Sequence, residues 1–423
     1  MHPAFEATRF PQFRLLWAGL LLTTVGTQMQ FFAVGWLAVQ VAVDEGDPHL
    51  APFYLGLIGL ARAVPALGFT LIGGVYADRV ERRSLLIISR LIGAVTAVML
   101  AGLVLADIVT IGILMAFTLI TAISEAIDMP ARTAIVARIL PRRALDSALG
   151  LTSLTFAAGF IVGPLIGGVL IVPLGVGGLM VVKAAVFVAA VAGLFGVERV
   201  PPESEGSRSG VLRSVAEGLA FILREPGLRV VAVTSVVAGL FGRPLNNLLP
   251  AVAANMLDVG AIELSWLLAA TGIGGLVGSL VAASLGGAKR RLLLLSFMTV
   301  IWGVLTFLLS IQRDLAPAVL LAGLTAVPWF AFASLGQVLF QVRSSDQYRG
   351  RAASVYSVTA SGVTALGVML LGSLGTLLTV SAAIAIGGIV MLVTGVASWL
   401  WVARRPELEA GRSPAPAPAT RPG

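Results

Sequence analysis

The sequence predicts an all-α membrane protein, with twelve transmembrane helices arranged as two pseudo-symmetric six-helix bundles. About a dozen apolar stretches run through the 423-residue chain, each near the roughly 20 residues that a helix needs to cross the hydrocarbon core of a bilayer. The stretches are rich in Leu, Val and Ala and lack the alternation of a barrel strand, so helices must satisfy the backbone in lipid. Nearly all arginines lie in the loops on one side of these stretches.

Composition agrees with this class and argues against several others. Hydrophobic residues make up 57% of the chain and charged residues only 12%, which is about half the charge of an average soluble domain. The net charge of +8 is spread through short loops, so a basic groove for nucleic acid is not expected. There is no cysteine and there are only two histidines, His2 and His49. We therefore expect no metal site and no cofactor.

The spans predict five parts of the chain: a cytoplasmic N-terminal tail (1–13), a first six-helix bundle (14–197), a cytoplasmic linker (198–228), a second six-helix bundle (229–403) and a disordered cytoplasmic tail (404–423). The predicted helices cover 14–42, 53–76, 84–106, 110–129, 146–172, 176–197, 229–255, 262–285, 292–311, 315–341, 352–378 and 381–403. The linker starts with a polar stretch rich in Pro, Ser and Gly. Its second half places Val211, Val215, Leu219 and Ile222 at helical spacing, which predicts an amphipathic helix on the membrane surface.

The loops predict the orientation of the chain. Basic residues recur in every second loop, at Arg79, Arg82, Arg83, Arg138, Arg142, Arg143, Arg199, Arg208, Lys289, Arg290, Arg343, Arg349 and Arg404. The intervening loops hold acids, at Asp44, Glu45, Asp47, Asp107, Asp258 and Glu263, and Arg313 is their one basic residue. The positive-inside rule then places both termini in the cytoplasm. We expect a multi-pass protein of a bacterial cytoplasmic membrane.

A weak repeat relates the two bundles. The sequence GGVYADRVERRSLLI at 73–87 is echoed by AASLGGAKRRLLLL at 282–295. Internal repeats around a binding site near the bilayer midplane are typical of secondary transporters.

The loop after the second span carries the first informative motif. Gly74, Asp78, Arg79, Arg82 and Arg83 follow a spacing that resembles the G-x-x-x-D-R-x-G-R-R signature of the major facilitator superfamily, with glutamate replacing the second glycine. An aspartate just beyond a helix end can bind the positive N-terminus of a neighbouring helix, which implies a conformational role. The alternative is an ordinary positive-inside loop.

The fifth span carries the second motif. Gly159, Gly163, Pro164, Gly167 and Gly168 resemble the antiporter signature of the same superfamily, G-x-x-x-G-P-x-x-G-G. Small residues at i, i+4 and i+8 let another helix pack closely, and proline adds a kink. The alternative is glycine-mediated packing without a role in transport.

Further segments narrow the resemblance. They are Phe13–Trp17, Pro130–Arg132 with Leu140–Pro141, and Gln341 through Arg351, and together they resemble the branch that contains the bacterial enterobactin exporter and macrolide-efflux proteins. The resemblance implies a secondary active exporter of amphipathic small molecules, drugs or secondary metabolites, working by proton antiport and alternating access. A dedicated siderophore-type secretion pump is the rival within transport. A non-transporting membrane sensor or an integral-membrane enzyme is the rival from another class.

Charges inside the spans are functional candidates, because a charge in the bilayer core costs at least ~2.5 kcal/mol. Glu125, in the fourth span, is the acid that we expect to be buried most deeply, and a carboxylate there can bind and release protons. The resemblance also places an acid at this position in the enterobactin exporter. The alternative is a structural ion pair with Arg132 or Arg62. Asp128 is the second proton-coupling candidate, although pairing with Arg132 or capping at Pro130 would explain it structurally.

Cavity residues are predicted from polar groups deep in the spans. Arg62 and Arg243 lie too deep to snorkel, and either binds substrate or pairs with Glu125 or with carbonyl groups. Pro244 after Arg243 predicts a broken helix that lines a cavity. The remaining cavity candidates are Gln28, Asn246, Asn247, Trp329 and Gln337.

Lys183 lies nearer the outer face, so we expect its ammonium group to snorkel to the interface. The expected partners of the chain are thus a small-molecule substrate, protons and the lipid bilayer, and we expect a monomer. No Walker A motif is present, so we do not expect the chain itself to use ATP.

Overall fold

The structure is a computed structural model that describes residues 3–77, 81–199, 222, 225–285, 288, 290–343 and 362–410, with only the backbone described at 66–77. The described residues are almost entirely helical, which confirms the predicted all-α class. Nine helical segments within these ranges are long and apolar enough to cross a membrane, and one of them contains two helices. Together with the helices α2 and α11, these segments form two sets of six.

The first six helices are joined by short turns. They are α1 (Pro11–Asp44), α2 (Ala51–Ala77), α3 (Arg82–Leu105), α4 (Ile111–Ile139) and the segment Arg142–Leu194, which holds α5 and α6 on either side of Gly175. Gly175 has φ of +63°, a conformation that glycine adopts without a steric penalty, and it follows Pro173 closely. The break between the fifth and sixth helices therefore lies at the predicted position.

The last six helices are α7 (Pro226–Met256), α8 (Ala261–Ser284), α9 (Arg291–Ser310), α10 (Leu315–Arg343), α11 (Thr364–Leu377) and α12 (Val380–Ala403). Helix α7 is irregular, because Ala238–Gly242 and Val252–Met256 are π-helical. Side chains satisfy several helix starts: the Thr379 hydroxyl accepts a hydrogen bond from the Ala382 amide of α12, and the Glu81 carboxylate accepts one from the Ser84 amide of α3. The glutamate that departs from the loop signature is thus an N-cap.

The same helix pairs recur in the two halves, which we define as α1–α6 and α7–α12. Helix α1 packs on α5 as α7 packs on α11, α2 on α4 as α8 on α10, and α3 on α6 as α9 on α12. Glycine backbones make these close approaches possible: a Cβ added at Gly303 of α9 would lie 2.5 Å from the Leu392 nitrogen of α12. The repeated pairing is the pseudo-symmetry that the sequence predicts.

Among the described residues, the two halves pack against each other mainly towards one end of their helices. We call this the acidic end, because it carries Asp44, Glu45, Asp107, Asp258 and Glu263; the opposite, arginine-rich end carries Arg82, Arg138, Arg142, Arg291, Arg343 and Arg404. At the acidic end α2 packs on α11 and α5 packs on α8. The Asn255 amide donates a hydrogen bond to the Pro48 carbonyl over 2.8 Å. The halves are therefore closed against each other at the acidic end.

Part of the predicted tail is ordered. Residues Glu407–Ala410 form a short helix, α13, and the Glu409 carboxylate accepts hydrogen bonds from the first amides of α9, at Leu292 and Leu293. Arg343 of α10 donates to the Leu408 carbonyl, which holds α13 in place. The predicted disorder of 404–423 is wrong for these first residues, because a carboxylate at a helix N-terminus satisfies free amide groups. Residues 411–423, and all of the predicted linker helix except Ile222, lie outside the described residues.

Candidate transport cavity

A cavity of about 590 Å³ lies between the two halves, within the size range of sites for small molecules. Six of the seven predicted cavity residues line it: Gln28, Arg62, Arg243, Asn246, Asn247 and Trp329. A second compartment of about 300 Å³ continues towards the arginine-rich end within the N-terminal half. Gln28, Arg62, Glu125 and Phe160 line both spaces. Gln337 is exposed and lines neither, since its place on α10 faces away from both spaces.

The Arg62–Glu125 pair stands where the two spaces meet. The Arg62 guanidinium, from α2, lies 3.0 Å from the Glu125 carboxylate of α4. Both side chains keep more than a third of their surface exposed. The sequence suggested that Glu125 is deeply buried, but its side chain lies in the wall of the cavity and is open to it. Arg62 also lies over the Phe31 ring, at 5.6 Å. The Glu125 carboxylate is therefore accessible from the cavity.

A second charge cluster lies closer to the arginine-rich end. The Asp128 carboxylate lies 3.4 Å from the Arg132 guanidinium, one turn along α4, and 4.0 Å from Arg90 of α3. Arg90 and Arg132 are almost fully buried, whereas Asp128 is about one-fifth exposed. The Arg90 guanidinium donates to the Ala190 carbonyl of α6 over 2.9 Å. The cluster therefore has two buried cations for one carboxylate.

Lys183 contradicts the snorkelling interpretation. Its side chain is only 1% exposed and donates a hydrogen bond to the Gln30 side chain of α1. The ammonium group also lies 4.8 Å from the centre of the Phe187 ring. A hydrogen bond and an aromatic face compensate part of the cost of burying a cation, so the lysine stays inside the bundle.

The wall from the C-terminal half is aromatic and amide-rich. Trp329 stacks on the buried Trp302, with ring centres 6.2 Å apart and an angle of 16° between planes, and its ring lies 4.9 Å from that of Phe330. The Asn246 carbonyl oxygen accepts a hydrogen bond from the Thr271 hydroxyl over 3.2 Å. Arg243 directly follows the π-helical turn Ala238–Gly242 of α7, an irregularity that is frequent at functional sites. This wall offers a flat ring and amide groups to a ligand.

The glycine motif of α5 packs on two different partners. A Cβ added at Gly163 would lie 2.6 Å from the Gln28 Cβ of α1, and one at Gly167 would lie 2.6 Å from the Phe32 ring. Gly159 similarly packs on Thr24, so the i, i+4, i+8 positions all hold α1. Gly168 instead faces Ser265 of α8, in the other half. Pro164 is buried within the same helix. The motif thus builds both the α1 packing and the closure at the acidic end.

The loop motif is only partly described. Asp78 and Arg79 lie outside the described residues, and of Gly74 only the backbone is given. Arg82 is buried at the start of α3, and Arg83 lies 5.4 Å from the centre of the Phe195 ring of the N-terminal half. Both arginines therefore sit at the arginine-rich end.

Arg90 is the residue that sequence reasoning missed. It lies a few residues into the third predicted span, where an arginine ordinarily snorkels to the interface. The sequence signal that could have found Arg90 is its spacing from Gly93, since residues three apart lie on the same face of a helix. In the structure Gly93 packs against Phe187, so this face of α3 points into the bundle.

Comparisons with known proteins agree with the fold. Residues 3–420 match the model of a family described as transmembrane secretion effector. The chain is 28% identical to the multidrug efflux pump Tap of Mycolicibacterium fortuitum, over 96% of this chain and 99% of that protein. It is also 28% identical to the enterobactin exporter EntS of Shigella boydii serotype 18, over 93% of this chain and 91% of the exporter.

Solved structures show the same architecture. The nucleoside transporter NupG matches with a TM-score of 0.69 at 14% identity, covering 94% of this chain and all of that one. A bacterial homologue of the human lysosomal transporter Spinster, in an inward-facing and unoccupied conformation, matches with a TM-score of 0.67 at 17% identity, covering 96% and 99% of the two chains.

Proposed function

Because the chain belongs to the transmembrane secretion effector family of the major facilitator superfamily, we propose that it exports amphipathic small molecules in exchange for protons. The observation that carries this proposal is the Arg62–Glu125 pair, which is open to a cavity shared by both halves. The efflux and exporter functions named for relatives that match along nearly their whole length support the same direction of transport.

Glu125 is the proposed proton carrier. Its carboxylate has one cationic partner, Arg62, at 3.0 Å, whereas Asp128 has two cations within 4.0 Å. Asp128 is engaged with two buried cations, whereas Glu125 has one partner and an open face towards the cavity, so Asp128 is the less suitable carrier. We therefore assign the proton to Glu125 and a structural and electrostatic role to Asp128.

Alternating access would reopen the contact between the halves. The acidic end is closed by α2–α11 and α5–α8 packing, and we place the arginine-rich end in the cytoplasm by the positive-inside rule. This state would then face inward. The loop residues Gly74, Asp78, Arg79, Arg82 and Arg83, and the glycines of α5, are the proposed conformational elements. We further propose a monomer in the bacterial cytoplasmic membrane with both termini inside.

A siderophore-type secretion pump is the second candidate. The observation that favours it is the excess of arginine over carboxylate around the cavity, which suits an acidic metabolite better than a cationic drug. Both candidates share the proton carrier, so a single coupling experiment tests them together.

The experiment uses purified protein in proteoliposomes and two permanently charged, aromatic probes, naphthalenesulfonate and (naphthylmethyl)trimethylammonium. We expect at least one probe to be accumulated against its gradient when only a pH difference is imposed. Glu125→Gln should reduce this accumulation at least a hundredfold, while counterflow without a pH gradient persists. The glutamine amide keeps the shape of the side chain but cannot bind and release a proton. Full pH-driven accumulation by the Gln variant would move the carrier role to Asp128. No pH-driven transport of either probe by the wild type would contradict proton-coupled export.

A further inference from the structure

We propose that the compartment towards the arginine-rich end is a subsite for an anionic group of the substrate, with Arg90 and Arg132 as its ligands. The inference rests on the proposed export function and adds the chemical class of the cargo: an amphipathic molecule that carries a carboxylate, sulfonate or similar acid.

The Arg90 guanidinium carries the argument. Its side chain is 1% exposed, and its Nη1 donates to the Ala190 carbonyl. The other two nitrogens, Nε and Nη2, are buried and have no hydrogen-bond partner among the described residues. A buried charged donor left without a partner is costly. Arg90 lines the 300 Å³ compartment, so a ligand that enters this space is the candidate for the missing acceptor.

The residues packed around Arg90 hold its guanidinium group in place. Gly19 of α1 lies against it, and a Cβ at this glycine would be 2.9 Å from the Arg90 Nη1 atom. Arg132 is positioned similarly, with its guanidinium 5.2 Å from the centre of the Phe156 ring. A guanidinium group binds two oxygens of a carboxylate or another oxyanion with parallel hydrogen bonds, so these two arginines suit an acid group.

The charge of the whole cavity points the same way. Four arginines (Arg62, Arg90, Arg132 and Arg243) and two carboxylates (Glu125 and Asp128) line the two connected spaces among the described residues. The excess is therefore two positive charges with both acids ionised, and three when Glu125 carries a proton. A cavity of one sign concentrates ligands of the other sign, so an anion is favoured in both states of the proposed carrier.

Asp128 would act as an internal competitor of the ligand. Its carboxylate lies 3.4 Å from Arg132 but only at the 4.0 Å limit of an ion pair with Arg90. The substrate's acid group would supply hydrogen-bond acceptors to the Arg90 nitrogens that Asp128 does not reach. Removing the Asp128 charge should therefore strengthen anion binding, which is an effect that a misfolded variant cannot produce.

The test measures binding at equilibrium, without any gradient, to protein in phosphatidylcholine nanodiscs. Naphthalenesulfonate is the anionic probe and naphthalenesulfonamide is its neutral counterpart. We expect the wild type to bind the sulfonate at least tenfold more tightly than the sulfonamide. Asp128→Asn should tighten sulfonate binding about tenfold. Arg90→Gln should weaken it at least tenfold, with sulfonamide binding unchanged. Arg143→Gln, which changes an exposed arginine outside both spaces, is the control and should behave as the wild type.

Several results would overturn the subsite. These are equal affinity of the wild type for the two probes, no tightening in Asp128→Asn, or an equal loss for both probes in Arg90→Gln. Nanodiscs that contain phosphatidylglycerol separate a substrate site from a site for anionic lipid headgroups, since competition by that lipid would assign the arginines to lipid. Because binding is measured without a gradient, failure of proton coupling in proteoliposomes leaves this result intact, and the two proposals can fail separately.

Discussion

The two halves of the molecule form opposite walls of one cavity with different chemistry. In the described part of α1–α6 six charged side chains lie well inside the helices: Arg62, Arg90, Glu125, Asp128, Arg132 and Lys183. In the described part of α7–α12 Arg243 is the corresponding charge, and the wall is otherwise built from Trp329, its stacking partner Trp302, and asparagines. The helix pairs are nevertheless the same in both halves.

This difference separates packing from function. The repeated helix pairs depend on glycines that let backbones approach, a requirement that both halves meet. Among the described residues, the charges of the N-terminal half take their partners from helices of the same half. We infer that the N-terminal wall couples transport to protons and orients an acid group, while the C-terminal wall binds the apolar body of the substrate. A shared architecture does not require a shared role.

The largest expected effect comes from removing the partner of the proposed carrier. In Arg62→Gln the Glu125 carboxylate loses its cationic partner at 3.0 Å, so the proposed exchange of a proton for this ion pair is no longer possible. We expect pH-driven accumulation of naphthalenesulfonate in proteoliposomes to fall at least a hundredfold, with counterflow retained.

The matched variant on the other wall is Arg243→Gln. It should weaken sulfonate binding about tenfold, or ~1.4 kcal/mol, because one of the four positive charges that line the two spaces is lost, and it should keep proton coupling. Equal loss of coupling in both variants would show that the two walls do not divide these roles.

The buried lysine provides a test of stability on the charged wall. Gln30→Leu removes the hydrogen-bond partner of Lys183 and leaves a buried cation, which should cost about 3 kcal/mol of stability. Thermal unfolding in detergent, followed by tryptophan fluorescence, measures the loss. The double variant Gln30→Leu/Lys183→Met removes the cation as well and should recover most of it. No recovery would mean that Gln30 stabilises the bundle through contacts other than the lysine.

The smallest expected effect lies on the aromatic wall. Trp329→Ala removes a ring that stacks on Trp302 and should weaken binding of naphthalenesulfonate and naphthalenesulfonamide alike, about fivefold, because ring stacking contributes ~1 kcal/mol beyond the area it buries. Trp399→Ala, on the exposed surface of α12, is the control for loss of a tryptophan as such. A loss confined to the sulfonate would place the acid group, and not the apolar body, against this wall.

Sequence by itself determined the features that depend on local chemistry. The membrane class follows from the length of the apolar runs, because bilayer thickness sets that length. The break at Gly175 follows from glycine and proline chemistry close together in the chain, and the close packing of Gly163 on α1 follows from the spacing of small residues.

Tertiary structure decided the partners of the charges. The sequence left Glu125 to pair with Arg132 or Arg62, and the structure brings Arg62 to it from a helix 63 positions earlier. It also buries Lys183 against Gln30, 153 positions away, and Arg90 against Ala190, 100 positions away. A span shows how deep a charge lies along its own helix, but the free energy of burying that charge depends on acceptors and ring faces that other helices supply. Those neighbours are set by how the twelve helices pack, which is why only the folded chain shows which cations are held inside.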